Sequence, residues 1–255
     1  MMPSAKLYVL CRPALTDEAG DFLASEATAW RKSPDATPSE SLAEFSGRIC
    51  YMSFGDNQSP KTNAEYIANL VRQGHESVLE HVTWTFLLTG VSRAFTHQLV
   101  RHRPGFSYSQ LSQQYHDEAD ADFVRPYGLE KYPVALENWT KAMHAAKAAY
   151  KAIANALEVQ NQSLDTELSK KERSRAIRSA ARSVLPNATE TKIVVTANAR
   201  ALRHFLCLRG AILGDFEMRA VSALIYKMLH SEAPSFVADF KINTLSDGLA
   251  VVEKV

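Results

Sequence analysis

The chain has 255 residues, 46% hydrophobic and 22% charged, enough to bury a proper core as a single domain over 1–255, with two small domains as the alternative. A formal net charge of +1, its eight histidines counted neutral, gives no overall basic field to hold a long polyanion, so nucleic acid is not expected as a partner and any anion must be met by local clusters. No charged-then-apolar leader opens the sequence, and no apolar run reaches the about 20 residues a membrane helix needs, so a cytoplasmic protein without membrane contact is expected.

In chain order, residues 6–11 (KLYVLC) read as a strand, and Glu18 to Trp30 as a helix whose start is marked by Thr16 and Asp17. Lys32 to Glu40 is rich in Ser and Pro and predicts a loop, followed by a helix over Ser41 to Tyr51. A further helix runs from Asn63 to Gln73 and stops at Gly74. Residues 81–91 (HVTWTFLLTGV) are β-branched and aromatic and predict a strand. Ser92 can cap the next helix, on one face of which Arg93, His97 and Arg101 fall four apart.

The second half is richer in helix. Pro133 to Leu164 carries Trp139, Met143, Ala146, Tyr150 and Ile153 as an apolar stripe for the core or a subunit contact. Residues 167–184 form a basic helix, in which Arg175 and Arg178 read as complements of the helix dipole and Arg182 as a candidate anion ligand. A strand over 189–197, a helix from Asn198 to Leu208, another from Asp215 to Leu229 and a hairpin around Asp247-Gly248 within 241–251 complete the order. Helices interleaved with a few strands predict α+β, with a central, mainly antiparallel sheet flanked by helices.

Chemistry concentrates in RHRPGFSYSQLSQQY, from Arg101 to Tyr115. Guanidinium forks grip phosphate oxygens, while hydroxyl and amide dipoles fix a polar ring, so this stretch points to a nucleotide. The cysteines Cys11, Cys50 and Cys207 are widely spaced, form neither a CxxC pair nor a zinc-like set, and read as buried thiols of a reducing compartment. No GxSxG elbow supports a serine hydrolase built on His102 with Ser107 or Ser112, and His75 with His81 lacks the spacing of a metal pair. A nucleic-acid binder using the basic residues of 170–182 with Tyr108 and Tyr115 is disfavoured by the near-neutral charge.

That stretch, with GHESVLEH (74–81), VSRAFTHQLVRHR (91–103), ARSVLPNATETKIVV (181–195) and NARALRHFLCLR (198–209), resembles flavin-dependent thymidylate synthase, collinearly from about Glu44 onward. The resemblance implies an α+β homotetramer with active sites at subunit interfaces. There C5 of dUMP is methylated to dTMP without a cysteine nucleophile, with 5,10-methylenetetrahydrofolate supplying carbon and NADPH supplying hydride by way of FAD. It implies that Arg209 lies against the uracil and favours loss of its N3 proton. Arg93, Gln98, Gln110, Ser112, Gln113, Gln114 and Arg182 would frame the nucleotide. Ser77, His81, Arg101, His102, Arg103, Gln110, Asn198, Arg200 and His204 would hold the flavin. Taken singly, His81 and His97 read more often as satisfied fold histidines, and Arg93 has the alternative of a solvated helix residue.

Three departures from the family pattern stand out. Eight residues separate Arg103 from Ser112, one more than usual, through Pro104-Gly105-Phe106. Gln114 stands where an arginine is usual, and the apolar Gly210-Ala211-Ile212-Leu213 replaces an acidic residue and a histidine. They keep open a diverged paralogue that modifies another pyrimidine nucleotide, such as UMP.

Overall fold

The computed structural model describes residues 4–60, 62–162 and 168–255. Among these the architecture is α+β. A four-stranded antiparallel sheet takes β1 (Lys6–Cys11), β2 (Thr83–Ser92), β4 (Glu190–Asn198) and β3 (Phe106–Gln110) in the order β1-β2-β4-β3, with helices flanking it. The helices are α1 (Glu18–Ser25), α2 (Pro38–Ile49), α3 (Asn63–Arg72), α4 (Arg93–Leu99), α5 (Pro133–Gln162), α6 (Lys170–Ala181), α7 (Ala199–Arg209) and α8 (Phe216–Glu232). A separate antiparallel hairpin pairs β5 (Phe240–Thr244) with β6 (Ala250–Lys254), Phe240 opposite Lys254 and Thr244 opposite Ala250. No described helix is long and apolar enough to cross a membrane.

Local chemistry explains several boundaries that differ from the expected ones. The second helix begins at Pro38 rather than Ser41. Thr37 accepts from the Glu40 N–H while the Glu40 carboxylate accepts from the Thr37 N–H, a capping box with proline in the first turn. The first helix stops at Ser25, short of Trp30, and Ala27 just beyond it takes a φ of 51°. The helix that Ser92 caps ends at Leu99, so Arg101 does not extend the face shared by Arg93 and His97. Within the signature stretch, for which the sequence predicts no strand, Phe106–Gln110 is a strand. The hairpin turns at Gly248, whose φ of 87° favours glycine. The long basic helix is shorter than expected at both ends: it starts at Lys170 and passes into a 3₁₀ turn at Arg182–Val184. Leu164 and Glu167, where two predicted helices ended or began, lie outside the described residues.

The chain divides into two compact units. One comprises Met1–Lys6, Leu88–Arg101 and Ser109–Ile193; the other comprises Leu7–Leu87, His102–Tyr108 and Val194–Val255. In the first unit α5 packs on α6 and on the turn after it. From the expected stripe, Met143 and Tyr150 are buried, whereas Trp139, Ala146 and Ile153 are half-buried. In the second unit α7 and α8 pack on each other and on β6, around Trp84, Phe86, Leu202, Phe205, Leu206 and Leu229. The cysteines correct the sequence reading: all three are free, but they are exposed rather than buried. Cys11 ends β1, Cys50 lies at the C-terminal end of α2, and Cys207 sits on the face of α7 that also exposes His204 and Leu208.

Inside the second unit a fully buried ion pair joins Glu44 to Arg48 at 2.7 Å. Asn63 donates to the same carboxylate at 2.7 Å, and Arg48 donates to the carbonyls of Ser53 and Pro60. Removing one partner strands the other charge away from water, which costs about 3–5 kcal/mol. Arg48→Met is therefore expected to lower unfolding free energy by about that amount in urea titrations, and the double change Arg48→Met/Glu44→Leu to lose markedly less; equal losses would contradict the pairing.

Candidate active site

The predicted residues fall into two constellations, one in each unit. In the second unit, the turn that opens β3 is built by Gly105. Its φ of +72° and the approach of Asn198 and Ala201, 2.7 Å from where a Cβ would sit, exclude a larger residue. The Phe106 N–H donates to the Arg103 carbonyl across this turn, and the Asn198 N–H donates to the Gly105 carbonyl at 3.2 Å. Asn198 also caps α7 by accepting from the Ala201 N–H. The additional residue of the signature segment thus forms a tight turn locked to the start of α7.

This turn presents His102 to Arg209, at the last residue of α7. The Arg209 Nε–H donates to His102 Nε2 at 3.1 Å, so the imidazole accepts and must be neutral, with its proton on Nδ1. Burial pushes the His102 pKa below its ordinary value, and the charges of Arg209 and His204 push it the same way. The ring lies edge-on to Phe205 at 5.0 Å, and its neighbour Phe106 stacks on Tyr108 at 5.8 Å. The Tyr108 hydroxyl donates to the His102 carbonyl at 2.7 Å and is held un-ionised by burial, against the pull of Arg103.

Around this core Ser77, His81, Arg103, Arg200 and His204 are exposed. Arg200 is engaged by Glu80 at 2.6 Å, a surface pair that an incoming anion could replace. In the expected apolar segment after Arg209, Gly210 serves packing, whereas Leu213 is exposed. Gly210 sits 2.3 Å, measured from a virtual Cβ, from the Val252 carbonyl, and its own carbonyl accepts from the Val252 N–H. Cys207 is no thiolate: desolvation raises its pKa, outweighing the opposing charges of Lys254 and Arg203.

In the first unit, Arg93 opens α4, and its Nη1 reaches the Leu111 carbonyl at 3.5 Å. Burial lowers its pKa; the carboxylate of Glu118 opposes that shift, and the charge of Arg182 adds to it. Two guanidinium groups are therefore within electrostatic reach of each other, and Glu118, only 3% exposed, is the counter-charge. Gln110 Nε2 donates to the hydroxyls of Thr96 and Thr191, at 3.0 and 3.4 Å. Ser112 Oγ accepts from the Gln114 N–H, and the buried Gln113 keeps its Nε2 without a partner among the described residues. Gln98 is half-buried on α4, and Arg101 is exposed just beyond it. The Gln114 amide donates to Ser179 and accepts from Arg175 Nε, both at 3.3 Å.

Sequence reasoning singled out Arg93, Gln110 and Arg182 but missed Glu118, Thr96, Thr191 and the engagement of Arg175. Glu118 acts on a residue 25 positions earlier in the chain, and no local spacing signals that. Arg175 carried a signal, its three- and four-residue steps to Arg178 and Arg182, which the dipole reading absorbed. No group of three or more potential metal ligands occurs among the described residues.

The neutral His102 has a consequence for pH. Because its folded pKa lies below the ordinary value of about 6.5, it contributes stability above that pH that is lost progressively as pH falls below it. In NMR titration the His102 ring is expected to have its midpoint below the ordinary histidine value. Arg209→Gln is expected to raise that midpoint by removing a neighbouring cation; an unchanged midpoint would break the link between the two residues.

Comparison with known proteins identifies the family. Residues 34–235 match the family model described as thymidylate synthase complementing protein. Proteins named flavin-dependent thymidylate synthase from Mycolicibacterium gilvum and Mycolicibacterium vanbaalenii are each 44% identical to this chain, over 91% of it and 90% of their own length. A protein of the same name from Mycobacterium tuberculosis is 42% identical, with the same coverage. On this similarity the chain belongs to the enzyme family of the flavin-dependent thymidylate synthases.

Proposed function

We propose that this protein converts dUMP to dTMP, taking carbon from 5,10-methylenetetrahydrofolate and hydride from NADPH by way of FAD, with no cysteine nucleophile. The observation that carries the reading is the Arg209 guanidinium held by a neutral imidazole in a cluster without a thiolate. A cation whose partner is neutral keeps its charge available for negative charge that develops on a uracil ring, in place of covalent activation by a thiolate. Arg209 Nε is engaged by His102, which leaves the two terminal nitrogens to face the pyrimidine and favour loss of its N3 proton.

Arg93 and Arg182 suit the nucleotide phosphate, because a dianion calls for two cations and relieves their mutual repulsion. Glu118 tempers that repulsion in the free protein. The amide and hydroxyl of Gln110 and Ser112, the unpartnered Gln113 Nε2, Gln98 and Gln114 supply the remaining polar contacts.

The donor set of the second unit fits a flavin dinucleotide. Arg103, Ser77, His81 and His204 are exposed hydrogen-bonding groups of mainly cationic or neutral character, Arg200 is paired only at the surface, and Asn198 borders the Gly105 turn. These residues, with Arg101 and His102, would hold the pyrophosphate and ring, and the bound flavin would supply two-electron hydride chemistry. A homotetramer with active sites where subunits meet is part of the proposal. Exposed apolar side chains such as Val134, Val159, Leu208 and Leu213 support association. Three unpaired thiols support a reducing, cytoplasmic setting.

The purified protein is expected to be yellow, and its visible spectrum is expected to shift on addition of dUMP but not of UMP. Colourless protein that takes up no added FAD would overturn the flavin assignment, and a response to UMP alone would favour the paralogue reading. Arg93→Ala and Arg182→Ala are each expected to weaken dUMP binding by about 10- to 100-fold in calorimetry, with the fold retained; unchanged affinity would remove them from the phosphate.

A further inference from the structure

The contact between His102 and Arg209 rests on an aromatic cluster within the second unit. Alternate residues of β3 turn to the same side, so Phe106 and Tyr108 share its half-buried face while Ser107 and Ser109 are exposed. The Phe106 and Tyr108 rings stack at 5.8 Å with 10° between their planes. Phe106 in turn lies 6.1 Å from the His102 ring and 6.4 Å from the ring of the fully buried Phe205, which meets the imidazole edge-on at 5.0 Å. The imidazole is therefore seated between a ring of β3 and a ring of α7.

The backbone beneath it is fixed as well. The Tyr108 hydroxyl donates to the His102 carbonyl at 2.7 Å, and the Phe106 N–H donates to the Arg103 carbonyl at 3.1 Å, so two successive carbonyls are engaged across the Gly105 turn. A distance of 2.7 Å is that of a well-formed O–H···O bond. Desolvation holds the phenol above its ordinary pKa, against the pull of Arg103, so it remains a donor throughout the neutral range. With its backbone tied and its ring flanked, His102 is left facing the Arg209 Nε–H with the lone pair of Nε2.

We infer that Tyr108 is a positioning residue: its hydroxyl and ring hold His102 so that the imidazole meets Arg209 and sets the direction in which the guanidinium points. For the use made of the Arg209 charge this rests on the function proposed above, whereas the coupling of Tyr108 to Arg209 through His102 rests on the contacts alone. Charge stabilisation in a transition state depends on donors already aimed at the reacting group, so a loosened His102 would leave Arg209 present but misdirected.

Tyr108→Phe tests this, because it keeps the ring and removes only the oxygen. The charged or titratable neighbours that act on His102 are Arg209 and His204, both from α7. In NMR titration of the full-length protein the His102 midpoint is expected to rise toward the ordinary histidine value in Tyr108→Phe, since an imidazole free to turn loses its nearest cation. Arg209→Gln raises that midpoint by itself, and adding Tyr108→Phe to it is expected to bring no further rise, because both changes act through one contact. A midpoint unmoved by Tyr108→Phe, or rises that simply add in the double variant, would overturn the inference and leave Tyr108 a packing residue.

The kinetic expectation is a kcat for dTMP formation lowered by about 10- to 100-fold in Tyr108→Phe, with KM for dUMP unchanged, as for a misplaced charge rather than a lost substrate contact. An unchanged kcat, or a loss confined to KM, would equally overturn it. Unaltered protein that forms no dTMP would refute the proposed activity, and the titrations would still decide whether Tyr108 positions the partner of Arg209. Should Tyr108→Phe fail to fold, Phe106→Leu, which withdraws the stacked ring and leaves the hydroxyl in place, is read by the same criteria.

Discussion

The arrangement depends on how the arginines are partnered. Arg48, Arg203 and Arg219 are buried against carboxylates, Glu44, Asp239 and Asp247, at 2.6–2.7 Å, and these pairs neutralise themselves inside the fold. Arg209, Arg93, Arg175 and Arg178 are held instead by neutral groups: an imidazole, two backbone carbonyls and an amide oxygen. A carboxylate partner would cancel the field these cations project, whereas a neutral acceptor fixes orientation and leaves the charge for a ligand. The same residue type thus serves structure in one setting and chemistry in the other.

Keeping such cations uncancelled carries an electrostatic cost that the local structure distributes. Burial lowers the pKa of Arg93, and the neighbouring charge of Arg182 lowers it further, with buried Glu118 working against both. Beside Arg209 the relief comes from His102, which burial and the nearby cations keep unprotonated. The Glu118 pKa is in turn raised from its ordinary value, first by its own burial. Glu118 therefore moderates Arg93 without an ion pair close enough to quench it, and the neutral His102 orients Arg209 without cancelling its charge.

The turn at Gly105 shows how a local sequence departure becomes a structural feature. An additional residue between the basic triplet and Ser112 could have lengthened a loop. Instead, a glycine with positive φ folds the segment back so that the start of α7 closes over it. Gln114, read as a lost charge, accepts from a guanidinium that α6 provides, so a cation still stands beside that position. Gly210, which opens the apolar segment after Arg209, packs against β6, and its neighbour Leu213 is exposed.

Sequence alone determined the α+β class, the strands at 6–11 and 189–197 within a residue, the cap at Ser92, and the candidate cations. These follow from side-chain periodicity, capping chemistry and adjacency, which act over a few residues. It misjudged the start of α2, the strand hidden in the signature stretch and the burial of the three cysteines, because β3 forms only when a distant strand supplies its hydrogen bonds and exposure is set by what packs on each face. Tertiary structure alone decided that His102 meets Arg209, 107 positions away, and that Gln114 meets Arg175, 61 positions away. Whether a cation is quenched or left available depends on such long-range partners, and charge interactions follow distance in space rather than along the chain.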